Sequence, residues 1–337
     1  LTLPCAPAGG GCLGGELVSF LFSLALYLAD RGKRRFRRAS SRDITRRMVR
    51  ITLPVALSSY LKSALRTVEN LLVPRGLRKY GASGSGALAQ YGMTEAMVMP
   101  ILTFPTAFLT SFSSLLVPEI AEARAVGGEG RIGRLVSKVV RYTLLFAAAM
   151  TGVFLFFAEE LGWAVYHQEG VGSMLGLLAP LVPLMYLDNV ADSMLKGMDE
   201  QVSVLRYSIL DSAMSICLLW FLLPMYGVNG YIFVMFASTF LNATLSFARL
   251  ASVTRITIRP VAWIVKPALC IVGACYAAGT LLSRAALPAG WGIAARIAVS
   301  LALYFILLCA TGAFGREDFR WFARVFRPEK PESPRQS

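Results

Sequence analysis

Two rows of charged and polar side chains interrupt otherwise apolar stretches of this chain. In the first row, Lys62 and Arg66 are one helical turn apart near the middle of the stretch 53–73. Residues three or four positions apart share one face of a helix, and the same face carries Ser59, Glu69 and Asn70. Neighbouring cations repel unless an anion lies between them, so the row predicts a binding wall for an anionic group such as a phosphate. The alternative is a structural network paired with carboxylates of a neighbouring helix.

The second row consists of Asp188, Asp192 and Lys196, spaced by four near one end of the stretch 174–195. One interpretation makes this row the mouth of the same cavity, with Asp188 or Asp192 as a counter-ion or as a proton or cation site. The other interpretation is a solvated helix end. Glu95, at the start of the third apolar stretch, is likewise either interfacial or substrate-facing.

The elements that must position these side chains are apolar segments of membrane-spanning length. Hydrophobic residues make up 55% of the 337 positions and charged residues 16%, against about 25% charged in soluble domains. A spanning helix needs about 20 mostly apolar residues. Nine stretches meet or nearly meet this requirement, namely 13–29, 53–73, 94–117, 142–158, 174–195, 207–223, 231–248, 267–282 and 291–313. The sequence therefore predicts an all-α polytopic membrane protein with about nine transmembrane helices.

The basic residues fall on alternate connections between these stretches. Of the 34 Lys and Arg residues, 27 lie on one side and four on the other. Because basic loops stay in the cytoplasm, we expect a multi-pass protein of the cell membrane with its N-terminus outside and its C-terminus inside. The net charge of +14 is then explained without nucleic acid as a partner.

The sequence offers little for catalysis or for metal binding. His167 is the single histidine, and the six cysteines form no CxxC pair. No nucleophile–base set or phosphate-binding glycine loop is visible. We therefore expect no enzyme, no metal and no cofactor.

Three segments resemble the stage V sporulation protein B family of polysaccharide exporters. They are ENLLVPRGLRKYGASGSGALAQYGMTEAMVMPILTFPTAFLTSFSSLLVPEIAEA at 69–123, YLDNVADSMLKGMDEQ at 186–201 and REDFRW at 316–321. This family is part of the multidrug/oligosaccharidyl-lipid/polysaccharide flippase superfamily, some members of which flip undecaprenyl-pyrophosphate-linked sugars. The resemblance runs from about residue 13 to about residue 327.

The resemblance implies the C-terminal lobe of a MATE/MOP-type two-lobe transporter of about fourteen helices. About five N-terminal helices of that fold are absent, so we expect a truncated chain. The expected parts are the last helix of the N-terminal lobe (1–29), a basic cytoplasmic linker (30–50), a C-terminal six-helix lobe (51–250), two additional helices (251–315) and a cytoplasmic amphipathic tail on membrane lipids (316–337).

The resemblance also implies translocation of a lipid-linked oligosaccharide or peptidoglycan precursor by alternating access, in cell-wall or spore-cortex synthesis. Lys62 and Arg66 would bind the pyrophosphate of an undecaprenyl-pyrophosphate-linked saccharide, and Lys196 would assist at the cytoplasmic entrance. Glu69, Asp188 and Asp192 would balance these cations and offer a site for a coupling cation. Two alternatives stay open: a cation-coupled exporter of small drugs, which the two cations disfavour, and a non-transporting membrane fragment.

Overall fold

The computed structural model describes residues 17–26, 28, 41–80, 84–125, 128–254, 256, 261–282, 289–315 and 318. Contacts divide the chain into two units, Leu1–Ala56 and Leu57–Ser337. The amphipathic helix predicted for the tail 316–337 lies outside the described residues, apart from Asp318. Residues 30–40 of the predicted linker are also outside them.

All regular secondary structure in the described part of the chain is helical. The α-helices are α1 (Leu17–Leu26), α2 (Ser41–Lys79), α3 (Gly84–Met93), α4 (Met99–Thr103), α5 (Thr106–Ala125), α6 (Glu129–Phe156), α7 (Ala158–Tyr166), α8 (Val171–Leu178), α9 (Val182–Gly197), α10 (Gln201–Thr254), α11 (Lys266–Leu282) and α12 (Ala289–Ala310). Short π-helical turns precede α4 (Thr94–Val98) and α11 (Val261–Val265), and a 3₁₀ turn (Ala179–Leu181) joins α8 to α9. Helix α2 begins at Ser41, inside the stretch predicted as a linker.

Several of these helices have the length and composition of membrane spans. Five qualify among the described residues, namely Gly130–Phe156, Val171–Gly197, Gln201–Thr254, Val261–Leu281 and Gly292–Ala310. A sixth is obtained if the pair Gly86–Thr103 and Thr106–Arg124, bent by 49°, is counted as one span. Large apolar side chains such as Trp220, Phe233 and Leu269 are exposed on the outside of these helices, as expected for contact with lipid. The chain is an all-helical, multi-pass membrane protein.

Helix α10 is folded back on itself. At Gly227 the backbone has φ 56° and ψ −131°, a conformation that is accessible to glycine but strained for other residues. Pro224, one turn earlier, cannot donate the hydrogen bond that would continue the helix. The two arms of α10, residues 201–226 and 228–254, contain the separate apolar stretches 207–223 and 231–248 seen in the sequence.

Side-chain contacts join the two arms along their length. The Ser238 hydroxyl donates to the Asp211 carboxylate at 2.6 Å, and Arg249 forms a two-pronged ion pair with Glu200 at the open end of the hairpin. The Ser203 hydroxyl and Arg249 together lower the pKa of Glu200, which lies outside the spans. The arms are therefore an antiparallel pair held by polar contacts.

Helix α9 lies at the centre of the main core and packs on α5, α6 and α10. Tyr186 on α9 is fully buried, and its hydroxyl donates to the carbonyl of Leu102 at 2.9 Å. The Phe146 ring of α6 stacks on Tyr186. A second apolar cluster joins α6 to α11 and α12, where the Tyr304 hydroxyl donates to the Leu145 carbonyl at 2.8 Å. These contacts fix the position of α9, the helix that carries the second charged row.

Candidate functional site

A polar cavity of about 230 Å³ lies between α2, α3, the adjoining π-helical turn and the two arms of α10. We call it the α2 cavity. Its walls include charged and polar side chains from all of these elements, namely Lys62, Arg66, Glu69, Asn70, Tyr91, Glu95, Ser208, Asp211, Ser212, Ser215, Tyr231, Ser238 and Asn242. A polar cavity of this kind among apolar helices is a candidate binding site, because charged groups in a bilayer usually face a cavity or a partner.

Helix α2 and the first arm of α10 meet side by side along this cavity. The Lys62 ammonium donates to the Ser208 hydroxyl at 3.1 Å. Farther along both helices, a Cβ built on Gly76 would lie 2.7 Å from the Cβ of Leu223, so the two backbones approach closely there. Glu69 lies against Ser212 on the same arm. The polar face of α2 is thereby turned toward a polar face of α10.

The π-helical turn places Glu95 in the α2 cavity. The turn spans Thr94–Val98, and such turns add one residue to a helical turn and are frequent at functional sites. The Tyr231 hydroxyl donates a hydrogen bond to the Glu95 carboxylate. Tyr91 meets the Tyr231 ring edge to face, with ring centroids 5.1 Å apart. Glu95 is thus tied to the second arm of α10 rather than to the outer rim of its own helix.

A second cavity, of about 430 Å³, lies between α9, α5 and the two arms of α10. We call it the α9 cavity, and its walls carry Asp188, Asn189, Asp192, Ser193 and Lys196. The Asn242 amide donates to Asp188 at 2.8 Å, and the Ser246 hydroxyl donates to Asp192 at 3.1 Å. The remaining oxygen of Asp188 and the side-chain oxygen of Asn189 are buried without a hydrogen-bond partner among the described residues.

The two cavities adjoin each other. Asp211, Ser238 and Asn242 line both of them, so we treat the two cavities as one polar groove. Among the described residues, five acidic side chains line the groove (Glu69, Glu95, Asp188, Asp192 and Asp211) and three cationic ones do so (Lys62, Arg66 and Lys196). The α2 cavity thus places two cations beside the carboxylates of Glu69, Glu95 and Asp211.

Most residues of the two charged rows line this groove. Lys62, Arg66, Glu69, Asn70 and Glu95 are at the α2 cavity, and Asp188, Asp192 and Lys196 are at the α9 cavity. Ser59 is exposed and is not among the lining residues of either cavity.

Sequence reasoning missed the contribution of the first arm of α10. Ser208, Asp211, Ser212 and Ser215 repeat at spacings of three and four in an apolar stretch, and this pattern is a detectable signal for a polar helix face. Asp211 accepts a hydrogen bond from Ser238, Asn242 donates one to Asp188, and both residues also line the groove.

Comparison with known proteins finds similarity to two curated sporulation proteins. The chain is 22% identical to "Stage V sporulation protein B" of Bacillus subtilis (strain 168) over 281 residues. The aligned region covers 81% of this chain and 53% of that protein. The chain is related to the stage V sporulation protein B family. It is also 24% identical over 139 residues to "Sporulation protein YkvU" of the same organism, which covers 41% of this chain and 31% of that relative.

The relationship covers only part of these relatives. The chain spans about half the length of the stage V sporulation protein B that it matches. No protein-family model and no solved structure matches the chain. The family relationship therefore rests on these two curated sporulation proteins.

Proposed function

We propose that this chain forms the C-terminal part of a flippase that moves a lipid-linked oligosaccharide or peptidoglycan precursor across the cell membrane in cell-wall or spore-cortex synthesis. The polar headgroup would travel in the groove, and its undecaprenyl chain would remain in the lipid. Lys62 and Arg66 would hold the pyrophosphate. Lys196 would meet it at the cytoplasmic entrance, and alternating access would come from rocking of two lobes.

The observation that carries this proposal is the polar groove itself. Lys62 donates to the neutral Ser208 hydroxyl, so its hydrogen-bond partner does not cancel its charge. Arg66 lines the same cavity one turn away. Glu69, Glu95 and Asp211 line this cavity as well, so a diphosphate would bind through Lys62 and Arg66, because phosphate oxygens accept charge-assisted hydrogen bonds from several donors.

The proposal includes nine crossings in a MATE/MOP-type lobe with additional helices. Its support is that α10 supplies two antiparallel arms and that the bent pair around Pro105 has the composition of one span. Proline lacks the amide hydrogen that would continue the helix, which accounts for such a bend. With α1, α2, α6, α8–α9, α11 and α12 the crossings number about nine. The positive-charge bias supports a cytoplasmic C-terminus.

A second candidate function is cation-coupled export of small cationic molecules. It is favoured by the five acidic side chains of the groove, which outnumber its three cations. One buried oxygen of Asp188 has no hydrogen-bond partner among the described residues, and it also offers an acceptor to a cation or a proton. In this case Asp188 and Asp192 would bind the transported or coupling cation.

Binding measurements on the purified chain separate these two functions. Undecaprenyl pyrophosphate and tetraphenylphosphonium would each be titrated by microscale thermophoresis. For the flippase, undecaprenyl pyrophosphate should bind, and Lys62→Gln/Arg66→Gln should weaken it about tenfold or more, since each lost charge-assisted contact contributes roughly 1.5–3 kcal/mol. For the exporter, tetraphenylphosphonium should bind, and Asp188→Asn/Asp192→Asn should abolish that binding.

The matched control is Arg75→Gln/Arg78→Gln. Like the test variant, it removes two positive charges from α2, but at exposed positions that line neither cavity. Undecaprenyl pyrophosphate that binds equally well to the parent and to Lys62→Gln/Arg66→Gln would refute the site. Absence of binding to the parent would refute the substrate class.

A further inference from the structure

A third cavity lies at the ends of four helices and has no lining residue in common with the polar groove. It encloses about 640 Å³, which is within the range of small-molecule sites, roughly 300–1,000 Å³. We call it the α6 cavity. Its walls come from the last turn of α5, the first turns of α6, the residue after α9 and the end of α10.

The α6 cavity is lined by three cations. Arg124 comes from α5, and Arg134 and Lys138 come from one face of α6, four residues apart. None of the lining residues whose side chains the structure describes is acidic. Nearby, Glu119 pairs with Arg131 at 3.2 Å and Glu200 pairs with Arg249 at 2.9 Å. The charges of Glu200 and Asp318 also act on Arg124 and Lys138, respectively.

Contacts to backbone atoms hold together the helix ends that carry these cations. The Arg124 guanidinium donates to the carbonyl of Met198, which holds the end of α5 against the turn after α9. A Cβ built on Gly133 would lie 2.8 Å from the carbonyl oxygen of Thr254, so α6 approaches the end of α10 closely without a side chain between them. The Ser137 hydroxyl donates to the Gly133 carbonyl at 2.7 Å. The cavity is therefore framed by fixed helix ends.

We propose that the α6 cavity binds a phosphate group, carried either by an anionic phospholipid or by a small water-soluble phosphate. Three cations around one concave site give an anion several charge-assisted contacts at once, and basic pockets between the ends of transmembrane helices accept lipid headgroups. Arg134 is exposed and Lys138 is half-buried, so the anion can enter from the surface. This site needs neither the groove nor transport through it.

Binding of two kinds of probe tests the site and identifies the source of the phosphate. Dioleoyl phosphatidylglycerol binding to the purified chain would be measured by native mass spectrometry. Inorganic phosphate would be titrated by calorimetry at constant ionic strength. Saturable binding of either kind supports the site, provided that Arg134→Gln/Lys138→Gln weakens it about tenfold, as expected for the loss of two cations next to a phosphate. Binding of the lipid alone would identify a phospholipid as the source of the phosphate, and binding of inorganic phosphate would identify a water-soluble phosphate.

Two further variants keep this test independent of folding and of general charge. Arg134→Lys/Lys138→Arg preserves the charge and should retain binding, whereas Arg75→Gln/Arg78→Gln removes two cations elsewhere and should also retain it. The site is refuted if neither probe saturates, if Arg134→Gln/Lys138→Gln binds like the parent, or if the distant control loses as much. Lys62→Gln/Arg66→Gln should leave this binding unchanged, so failure here is separable from failure of the proposed flippase.

Discussion

The Lys62 ammonium on α2 donates a hydrogen bond to the Ser208 hydroxyl on the first arm of α10, across 3.1 Å and 146 positions of sequence. The partner is neutral, and no carboxylate lies within ion-pair distance of Lys62 among the described residues. The contact therefore holds the cation in place at the α2 cavity without cancelling its charge. This arrangement suits an ammonium group that binds an anion in the cavity.

A double-mutant cycle measures that contact. Lys62→Met and Ser208→Ala each remove one partner, and we expect a coupling energy of about 0.5–1.5 kcal/mol in the free energy of unfolding, as for a partly buried hydrogen bond. The measurement is a denaturant titration of the purified chain in mixed micelles. A cycle that closes with no coupling would mean that the two side chains act independently.

Positions 188 and 242 should tolerate a swap of their aspartate and asparagine, but they should not tolerate an aspartate at both positions. Asn242→Asp places two carboxylates where the amide now donates at 2.8 Å, and like charges at that distance repel. We expect Asn242→Asp to lower the thermal midpoint, and Asp188→Asn/Asn242→Asp to restore it because the donor–acceptor pair is re-formed in reverse. Scanning fluorimetry at neutral pH provides the measurement, and failure of the double variant to recover would argue against a direct contact.

Gly227 and Gly279 should respond in opposite directions to alanine. Gly227 has φ 56°, and a Cβ there would lie 2.9 Å from the Tyr80 ring, so Gly227→Ala should cost about 1–3 kcal/mol of unfolding free energy. Gly279 lies inside α11 with nothing within 4 Å of a built Cβ, so Gly279→Ala should gain about 0.5–1 kcal/mol. Equal effects of the two substitutions would contradict the hairpin turn.

Asp318 fastens the segment after α12 to α6. Its carboxylate accepts hydrogen bonds from the Tyr142 hydroxyl at 2.6 Å, from the Gly315 amide at 2.8 Å and from Arg141 at 3.1 Å. Partial burial acts to raise the pKa of Asp318. The hydrogen bonds from Gly315 and Tyr142 and the positive charge of Arg141 outweigh it and lower the pKa below its ordinary value.

This lowered pKa predicts a stabilisation that depends on pH. Because the folded chain favours the ionised form, the contribution is complete above the ordinary aspartate pKa of about 3.9 and is lost as the pH falls through the lower folded-state value. Asp318→Asn should increase hydrogen exchange of residues 311–315 at pH 7, and the difference from the parent should begin to shrink only as the pH falls below about 3.9. Glu119→Gln removes an exposed ion pair and should change nothing measurable.

Much of the fold and part of the site were predictable because helical periodicity is local. Apolar stretches predicted a helical membrane protein, and the two stretches 207–223 and 231–248 correspond to the two arms that the tertiary structure folds at Gly227. The spacing of Lys62 and Arg66 placed them on one face, and both line the α2 cavity. These features depend only on residues within a few turns of each other.

The tertiary structure decided which helix faces meet. The hydrogen bond from Asn242 to Asp188 and the contact from Lys62 to Ser208 join residues 54 and 146 positions apart. Periodicity assigns residues to a face, but side-chain packing and close backbone approach select the partner of that face. Ser59 shares the periodicity of its row, yet it is not among the lining residues of either cavity. The polar groove and the basic α6 cavity likewise exist only because distant helix faces and ends are packed together.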